Sequence, residues 1–262
     1  MHLELISRTP ASNPRPTPLL FVHGAWHGAW CWAEFFLDYF ASHGYAVYAL
    51  SLRGHGGSEG RSQLRWMSIA DYLSDVTRFV EQLPDPPVLI GHSMGGLIVQ
   101  KYLEKHAAPA AVLVASVPPA GVLATTLRIA RRHPVEFAKT NLFLSLYPLV
   151  GTLRLAREAF FSASMPHDQV LRHFHRIHDE AYRAFVDMLL LALPSPRRVT
   201  TPMLVLGAAN DIIFSPHEVE ATAKAYRTQA TIFPNMAHDM MLEAGWQAVA
   251  DHILTWLGHR GL

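Results

Sequence analysis

Six short apolar runs punctuate the chain, at residues 19–23, 45–50, 88–91, 111–115, 203–206 and 231–233, and stretches of helical period separate most of them. Runs of this length that are rich in branched residues read as buried strands. Strands alternating with helices must hide both faces, so the pattern predicts a mostly parallel sheet with helices on either side, joined by right-handed crossovers. The intervening segments carry helix signals. Residues 30–42 form a helical stretch closed by Gly44. Ser68 with Asp71 gives capping-box spacing for a helix that Pro84 stops, and residues 95–105 form the helix after the third run. Ser215-Pro216-His217-Glu218 supplies an N-cap, an N1 proline and a capping-box glutamate, and residues 245–257 close the chain as a helix.

The rhythm breaks at Pro118-Pro119 and resumes only at Met203. One crossover does not need so long a connection. Residues 119–198 are helical in period and rich in Phe, Leu and Met, which predicts a helical cap inserted into a core formed by residues 1–118 and 199–262. The chain has 262 residues, 50% hydrophobic and 16% charged, with a formal net charge of +1, so no global field favours nucleic acid or another polyanion. The one cysteine, Cys31, can form no internal disulfide. Residues 1–18 lack the basic and apolar regions of a leader, and no apolar run approaches the roughly twenty residues of a membrane-spanning helix. A soluble, cytoplasmic protein is therefore expected.

The strongest chemical signal is Gly91-His92-Ser93-Met94-Gly95, placed between a predicted strand and a predicted helix. A turn this sharp needs small flanking residues, and it projects Ser93 away from the backbone toward solvent, at a helix start whose N–H groups favour developing negative charge. Asp211 follows the run at 203–206, and His238 follows the run at 231–233. Both sit where catalytic groups collect in open α/β sheets, beyond the carboxyl ends of strands. In this order Ser93 is the expected nucleophile, His238 its base and Asp211 the acid that orients the imidazole. The small residues after the first run, Gly24 and Ala25, let main chain approach a substrate oxygen. The oxyanion hole is assigned to the backbone N–H groups of Ala25 and Met94, while His23 is expected to brace the loop.

Together, His23-Gly24, the loop from Arg53 to Ser58, the Gly91 to Gly95 turn and the Asp211 and His238 pair resemble α/β-hydrolase superfamily esterases and lysophospholipases. Residues 23–32 are more similar to plant methylesterases and the related hydroxynitrile lyases. The resemblance runs from about Leu19 to Trp256 and is uninformative over 119–198. It implies an α/β-hydrolase fold with a central, mostly parallel sheet and a serine esterase activity. Dehalogenases and epoxide hydrolases of similar sequence carry aspartate where this chain has Ser93. The lyases carry threonine and lysine where this chain has Gly24 and Asp239, which favours hydrolysis. A lysophospholipase or monoacylglycerol lipase is the main alternative; a non-catalytic receptor and a lyase are more remote.

Substrate must be read from the cap and the first loop. Gly24, Trp26, Phe143, Leu146 and Tyr147 are the candidate substrate-binding residues, with Phe160, Phe161 and Met165 as further apolar wall. Such residues equally serve to pack helices on the body. The cap holds 11 Lys or Arg against 6 Asp or Glu, a bias that a solvated helix face explains and that lends membrane-surface association no further support. His173, His175 and His178 do not share one helix face, and a serine triad needs no metal, so no metal or cofactor is expected. The expected partner is a small-molecule ester. Acyl and alcohol identity and oligomeric state are not encoded in any motif of the chain.

Overall fold

The computed structural model describes residues 1–262. Seven strands make one sheet: β1 (Leu5–Arg8), β2 (Leu19–Val22), β3 (Val47–Leu50), β4 (Val88–His92), β5 (Ala111–Val114), β6 (Met203–Ala208) and β7 (Ala230–Phe233). Their spatial order is β1-β3-β2-β4-β5-β6-β7, with β1 antiparallel to β3 and every other neighbouring pair parallel. β2 to β7 are the six runs expected from the sequence. β1 was not expected: it is an edge strand with three of its four residues exposed, so it lacks the apolar run that marks a buried strand.

The region read as one helix over 30–42 is two, α1 (Trp30–Ala33) and α2 (Phe36–Ser42). Phe35 between them leaves helical geometry at φ −142°. The break lets Trp32, Phe36 and Phe40 all pack around Phe21 of β2, with ring centroids 5.0, 6.3 and 5.7 Å away. α3 (Ile69–Val80) begins with the expected Ser68–Asp71 capping box. α4 (Met94–Tyr102) follows β4 directly and is buried at every residue but Lys101, being covered on all sides.

Between β5 and β6 the chain adds no strand but five α-helices, α5 (Leu123–Arg132), α6 (Pro134–Phe143), α7 (Leu153–Phe160), α8 (His167–Phe174) and α9 (Tyr182–Val186), with short 3-10 or π turns at Tyr147–Leu149, Asp187–Leu191 and Pro196–Arg198. α10 (Pro216–Ala225) opens with the Ser215–Glu218 capping box, and α11 (Trp246–Gly258) completes the chain. No helix is long and apolar enough to cross a membrane. Because β2, β4, β6 and β7 are parallel, the loops that follow them emerge at one end of the sheet. They carry Gly24 and Ala25, Ser93, Asp211 and His238 respectively.

Candidate active site

Ser93 joins β4 to α4 with φ 51° and ψ −118°, a region that L residues avoid and that costs of order 1–3 kcal/mol. Neighbouring backbone holds it there. Its N–H donates to Val114 O at 3.1 Å, and its carbonyl accepts from the N–H groups of Gly96 and Val117. Close packing at Gly95 completes the constraint, since a Cβ there would lie 2.3 Å from Val22 O. The sequence reading placed Ser93 toward solvent. It is in fact only 7% exposed, because it lines an apolar chamber together with residues of the segment between β5 and β6.

Asp211 and His238 meet at the ends of β6 and β7. His238 Nδ1 donates to Asp211 Oδ2 at 2.8 Å, and the other carboxylate oxygen accepts the N–H groups of Ile213 at 2.7 Å and Phe214 at 3.0 Å. The acid is thus held from two directions. With Nδ1–H committed to Asp211, Nε2 is the nitrogen left with a lone pair. Ser93 Oγ and His238 Nε2 form no hydrogen bond in the structure; catalytic hydrogen bonds of this kind tighten in the substrate complex.

The two N–H groups expected to face an oxyanion are both unengaged. Ala25 N–H donates to nothing, and Met94 opens α4, where a helical N–H has no intrahelical acceptor. Gly24 lies between this loop and the elbow. A Cβ at Gly24 would sit 2.7 Å from His92 Nδ1 and 2.8 Å from Ser93 Cβ, so its role is close approach rather than lining a substrate pocket. His23 braces the loop as expected: its Nδ1 donates to Gly24 O at 2.8 Å and its Nε2 accepts from Leu52 N–H at 3.0 Å. Burial, followed by the nearby His55 imidazole, holds its pKa well below the ordinary value. It is therefore neutral, in keeping with that donor and acceptor pattern.

Behind the site lies a buried ion pair. His27 donates from Nε2 to Asp239 at 3.0 Å and from Nδ1 to Ala25 O at 2.7 Å. Burial pulls the His27 pKa down, but the Asp239 charge and hydrogen bond outweigh it and raise the pKa overall. Burial likewise pushes Asp239 up, and His27 more than offsets this to hold it below the usual carboxylate value. His92, with burial as the main cause and His238 next, is depressed to about 3 and donates its Nε2–H to His238 O.

The pair predicts a pH signature. A raised His27 pKa gives stabilisation that is complete below 6.5 and lost as pH rises through its folded value. A lowered Asp239 pKa gives stabilisation present above 3.8 and lost as pH falls through its own. The urea midpoint of Asp239→Asn should therefore trail the parent most between those two values, with the gap closing in more alkaline buffer. A gap that is constant with pH would show that the pair is not charged.

Ser93 opens onto a chamber of about 70 Å³ whose walls include Trp26, Val122, Ile129, Leu149, Met188 and Phe214. The two threonine hydroxyls of the chamber are engaged by backbone: Thr125 donates to Ile213 O and Thr126 to Val122 O. A second cavity of about 40 Å³ is lined by Val150, Leu155 and Ala159 and ends at His133 and Glu158. Trp26, Ile129, Leu149 and Ile213 line both, so these four form the partition between them. A larger groove of about 390 Å³ lies against β1 at Met1, Leu5 and Arg78, and none of the three candidate triad residues lines it.

Of the expected substrate residues, Trp26 and Leu146 line the chamber. Phe143 and Tyr147 do not: both are exposed, because α6 and the turn after it present them outward. Phe160, Phe161 and Met165 are core residues, and Phe160 packs on Trp26, His27 and His238. His173 lies between Trp30 and Phe161, and His178 packs against His55. The sequence reading missed Ile213 and Phe214, although their place directly after Asp211 was the available signal. Val122, Ile129, Leu149 and Met188 have no local signal, since apolar residues on an amphipathic helix can face either core or cavity.

The alpha/beta hydrolase family profile matches residues 19–252. Over 118 residues the chain is 33% identical to methylesterase 10 of Arabidopsis thaliana, covering 36% of this chain and 41% of that one. It is 34% identical to methyl jasmonate esterase 1 of Vitis vinifera over 35% of each. These matches thus span less than half the length of either plant protein. Among solved structures, a Paleococcus ferrophilus monoacylglycerol lipase superposes with a TM-score of 0.75 at 22% identity, over 99% of this chain and 100% of the other. An Exiguobacterium antarcticum esterase superposes equally well, at 0.75 and 15% identity, over 98% and 95%. At such identities the likeness is one of fold.

Proposed function

The chain belongs to the alpha/beta hydrolase family, and from that premise we propose that it is a serine carboxylic-ester hydrolase acting on a small or medium apolar ester. The observation that carries this reading is the hydrogen bond from His238 Nδ1 to an Asp211 carboxylate anchored by two backbone N–H groups. It leaves Nε2 as a base at the end of the sheet where Ser93 is held in its strained turn.

The mechanism runs in two halves. His238 Nε2 takes the Ser93 Oγ proton as the oxygen attacks the ester carbonyl, and the new oxyanion accepts from the Ala25 and Met94 N–H groups. The C–O bond to the alcohol breaks, and His238 returns the proton to the leaving oxygen. Water then repeats the attack on the acyl-enzyme, with His238 again as base, to release acid and free serine. Asp211 orients the imidazole and steadies the imidazolium that forms.

Residues 119–198 act as a cap over the core formed by 1–118 and 199–262, and the apolar chamber beneath takes the acyl group. A longer chain passes the Trp26, Ile129, Leu149 and Ile213 partition into the second cavity. A series of p-nitrophenyl esters of increasing length, run beside a monoacylglycerol and a phospholipid, tests this reading. Ester turnover with an acyl burst supports it, and an inert wild-type protein overturns it. Ile129→Trp should close the partition and cut kcat/KM for long acyl chains by roughly 10- to 200-fold while sparing the acetate, since each methylene in such a pocket is worth about 1–3 kcal/mol. An unchanged profile would remove the second cavity from the substrate path.

A lipid-hydrolase reading draws on Leu142, Leu190 and Leu191, which stand exposed on the cap, and preference for the monoacylglycerol would favour it. A cytoplasmic location agrees with Cys31 being a buried, unpaired thiol.

A further inference from the structure

Glu180, in the segment between α8 and α9, is 1% exposed and lies in the cap rather than in the core that bears the triad. Its Oε2 accepts from Trp26 N–H at 3.2 Å and His55 Nε2–H at 2.9 Å. Its Oε1 accepts from Tyr72 OH at 2.9 Å and Ala181 N–H at 2.6 Å. Four donors fill the four lone-pair sites of a carboxylate. Burial would raise its pKa, but His55 and these hydrogen bonds outweigh it and keep the group below the ordinary value. The carboxylate is thus an ionised, fully engaged acceptor inside the protein.

What it grips is the oxyanion loop. Trp26 sits at φ +64°, a conformation that a bulky side chain adopts only when its surroundings enforce it. Its N–H is held by Glu180, and its carbonyl accepts from His178 N–H at 3.2 Å, so a three-residue strap of the cap takes both backbone polar groups of this residue. On the preceding residues, Ala25 O accepts from His27 and Gly24 O from His23. From Gly24 O to Trp26 O, therefore, every backbone polar group is engaged except Ala25 N–H.

We propose that Glu180 is a positioning residue of the oxyanion hole, holding the Trp26 peptide so that Ala25 N–H is the one group of the loop left facing the reacting oxygen. The proposal rests on the esterase reading above. It gives the cap a part in the rate of the chemical step as well as in the choice of substrate. A carboxylate that served only to dock the cap would influence folding and substrate binding; one that sets the direction of an N–H acts where negative charge develops.

The test compares wild type with Glu180→Gln and Glu180→Asp. Glutamine turns an NH₂ toward donors that need an acceptor, and aspartate keeps the charge beside His55 but withdraws it from Trp26. Steady-state kinetics on p-nitrophenyl butyrate are read together with the Ki of an alkyl trifluoromethyl ketone, which adds Ser93 to form a hemiketal oxyanion. Far-ultraviolet circular dichroism and thermal melting report folding. Loss of one oxyanion donor costs about 10²–10³ in kcat, so a displaced donor is expected to cost roughly 10- to 100-fold in Glu180→Gln and about tenfold in Glu180→Asp. KM should stay within about threefold, and the ketone Ki should rise by the same factor as kcat falls.

Should Glu180→Gln fail to fold, Glu180→Asp decides the question by the same readouts. Unchanged kcat in a folded variant overturns the proposal, as does a rise in KM with unaltered ketone affinity. If instead wild type neither turns over the ester nor binds the ketone, it is the esterase reading that has failed, and the proposal falls with it.

Discussion

Ser93→Ala and His238→Ala are each expected to lower kcat on p-nitrophenyl esters by on the order of 10⁶, the scale of triad dissection in another serine hydrolase. The two variants should differ in stability. Ser93 Oγ makes no hydrogen bond within the protein, and alanine accepts the φ 51° turn no worse than serine, so Ser93→Ala should melt close to the parent temperature. His238 is buried and is the side-chain partner of Asp211. Its removal leaves a buried carboxylate served by two backbone N–H groups alone, which should cost about 1–3 kcal/mol. A fluorophosphonate probe should label wild type and His238→Ala at very different rates and should not label Ser93→Ala at all. Activity within tenfold of wild type in either purified variant would remove that residue from the mechanism.

The second large effect is expected at Asp211. Asparagine at this position keeps the size of the side chain but can turn an NH₂ toward His238, which then presents the wrong tautomer; the corresponding change in a serine protease costs about 10⁴ in kcat. The N–H groups of Ile213 and Phe214 donate to Oδ1 and would keep the amide oxygen on their side, directing the NH₂ at the imidazole. The contrasting variant is Asp239→Asn. Asp239 is adjacent to His238 in sequence and is also buried, but its hydrogen bond goes to His27. It should lose stability with the pH dependence described above and keep most of its kcat. If the two variants exchange these phenotypes, the acid of the triad is Asp239.

The proposed arrangement also changes what a cap substitution means. Glu180 and His178 hold the Trp26 peptide, Asp239 N–H donates to Phe160 O, and Ser162 donates to Glu243. The inserted segment is hydrogen-bonded to the loop that bears Ala25 and to the loop that bears His238. Substitutions in this region that alter kcat need not touch substrate.

Much of this protein is set by local sequence. Strands β2 to β6 are legible because each is buried along nearly its whole length and so must be apolar, while β7, a half-buried edge strand, is legible from its β-branched and aromatic run Thr231-Ile232-Phe233. The capping boxes at Ser68 and Ser215 are legible because a cap is satisfied within four residues. The chain positions of Ser93, Asp211 and His238 follow for a related reason: a parallel sheet delivers the ends of its strands to one edge, so order along the chain becomes proximity in space. Other features required the tertiary structure. β1 draws its hydrogen bonds from β3 and needs no apolar run of its own. The same kind of residue faces the chamber at Ile129 and solvent at Phe143, and only the packing of the helices between β5 and β6 separates the two. Glu180 looks like any helix-flanking acid until folding carries it to Trp26, 154 residues away, because a buried carboxylate is defined by the donors that surround it, and three of its four, Trp26, His55 and Tyr72, come from distant parts of the chain.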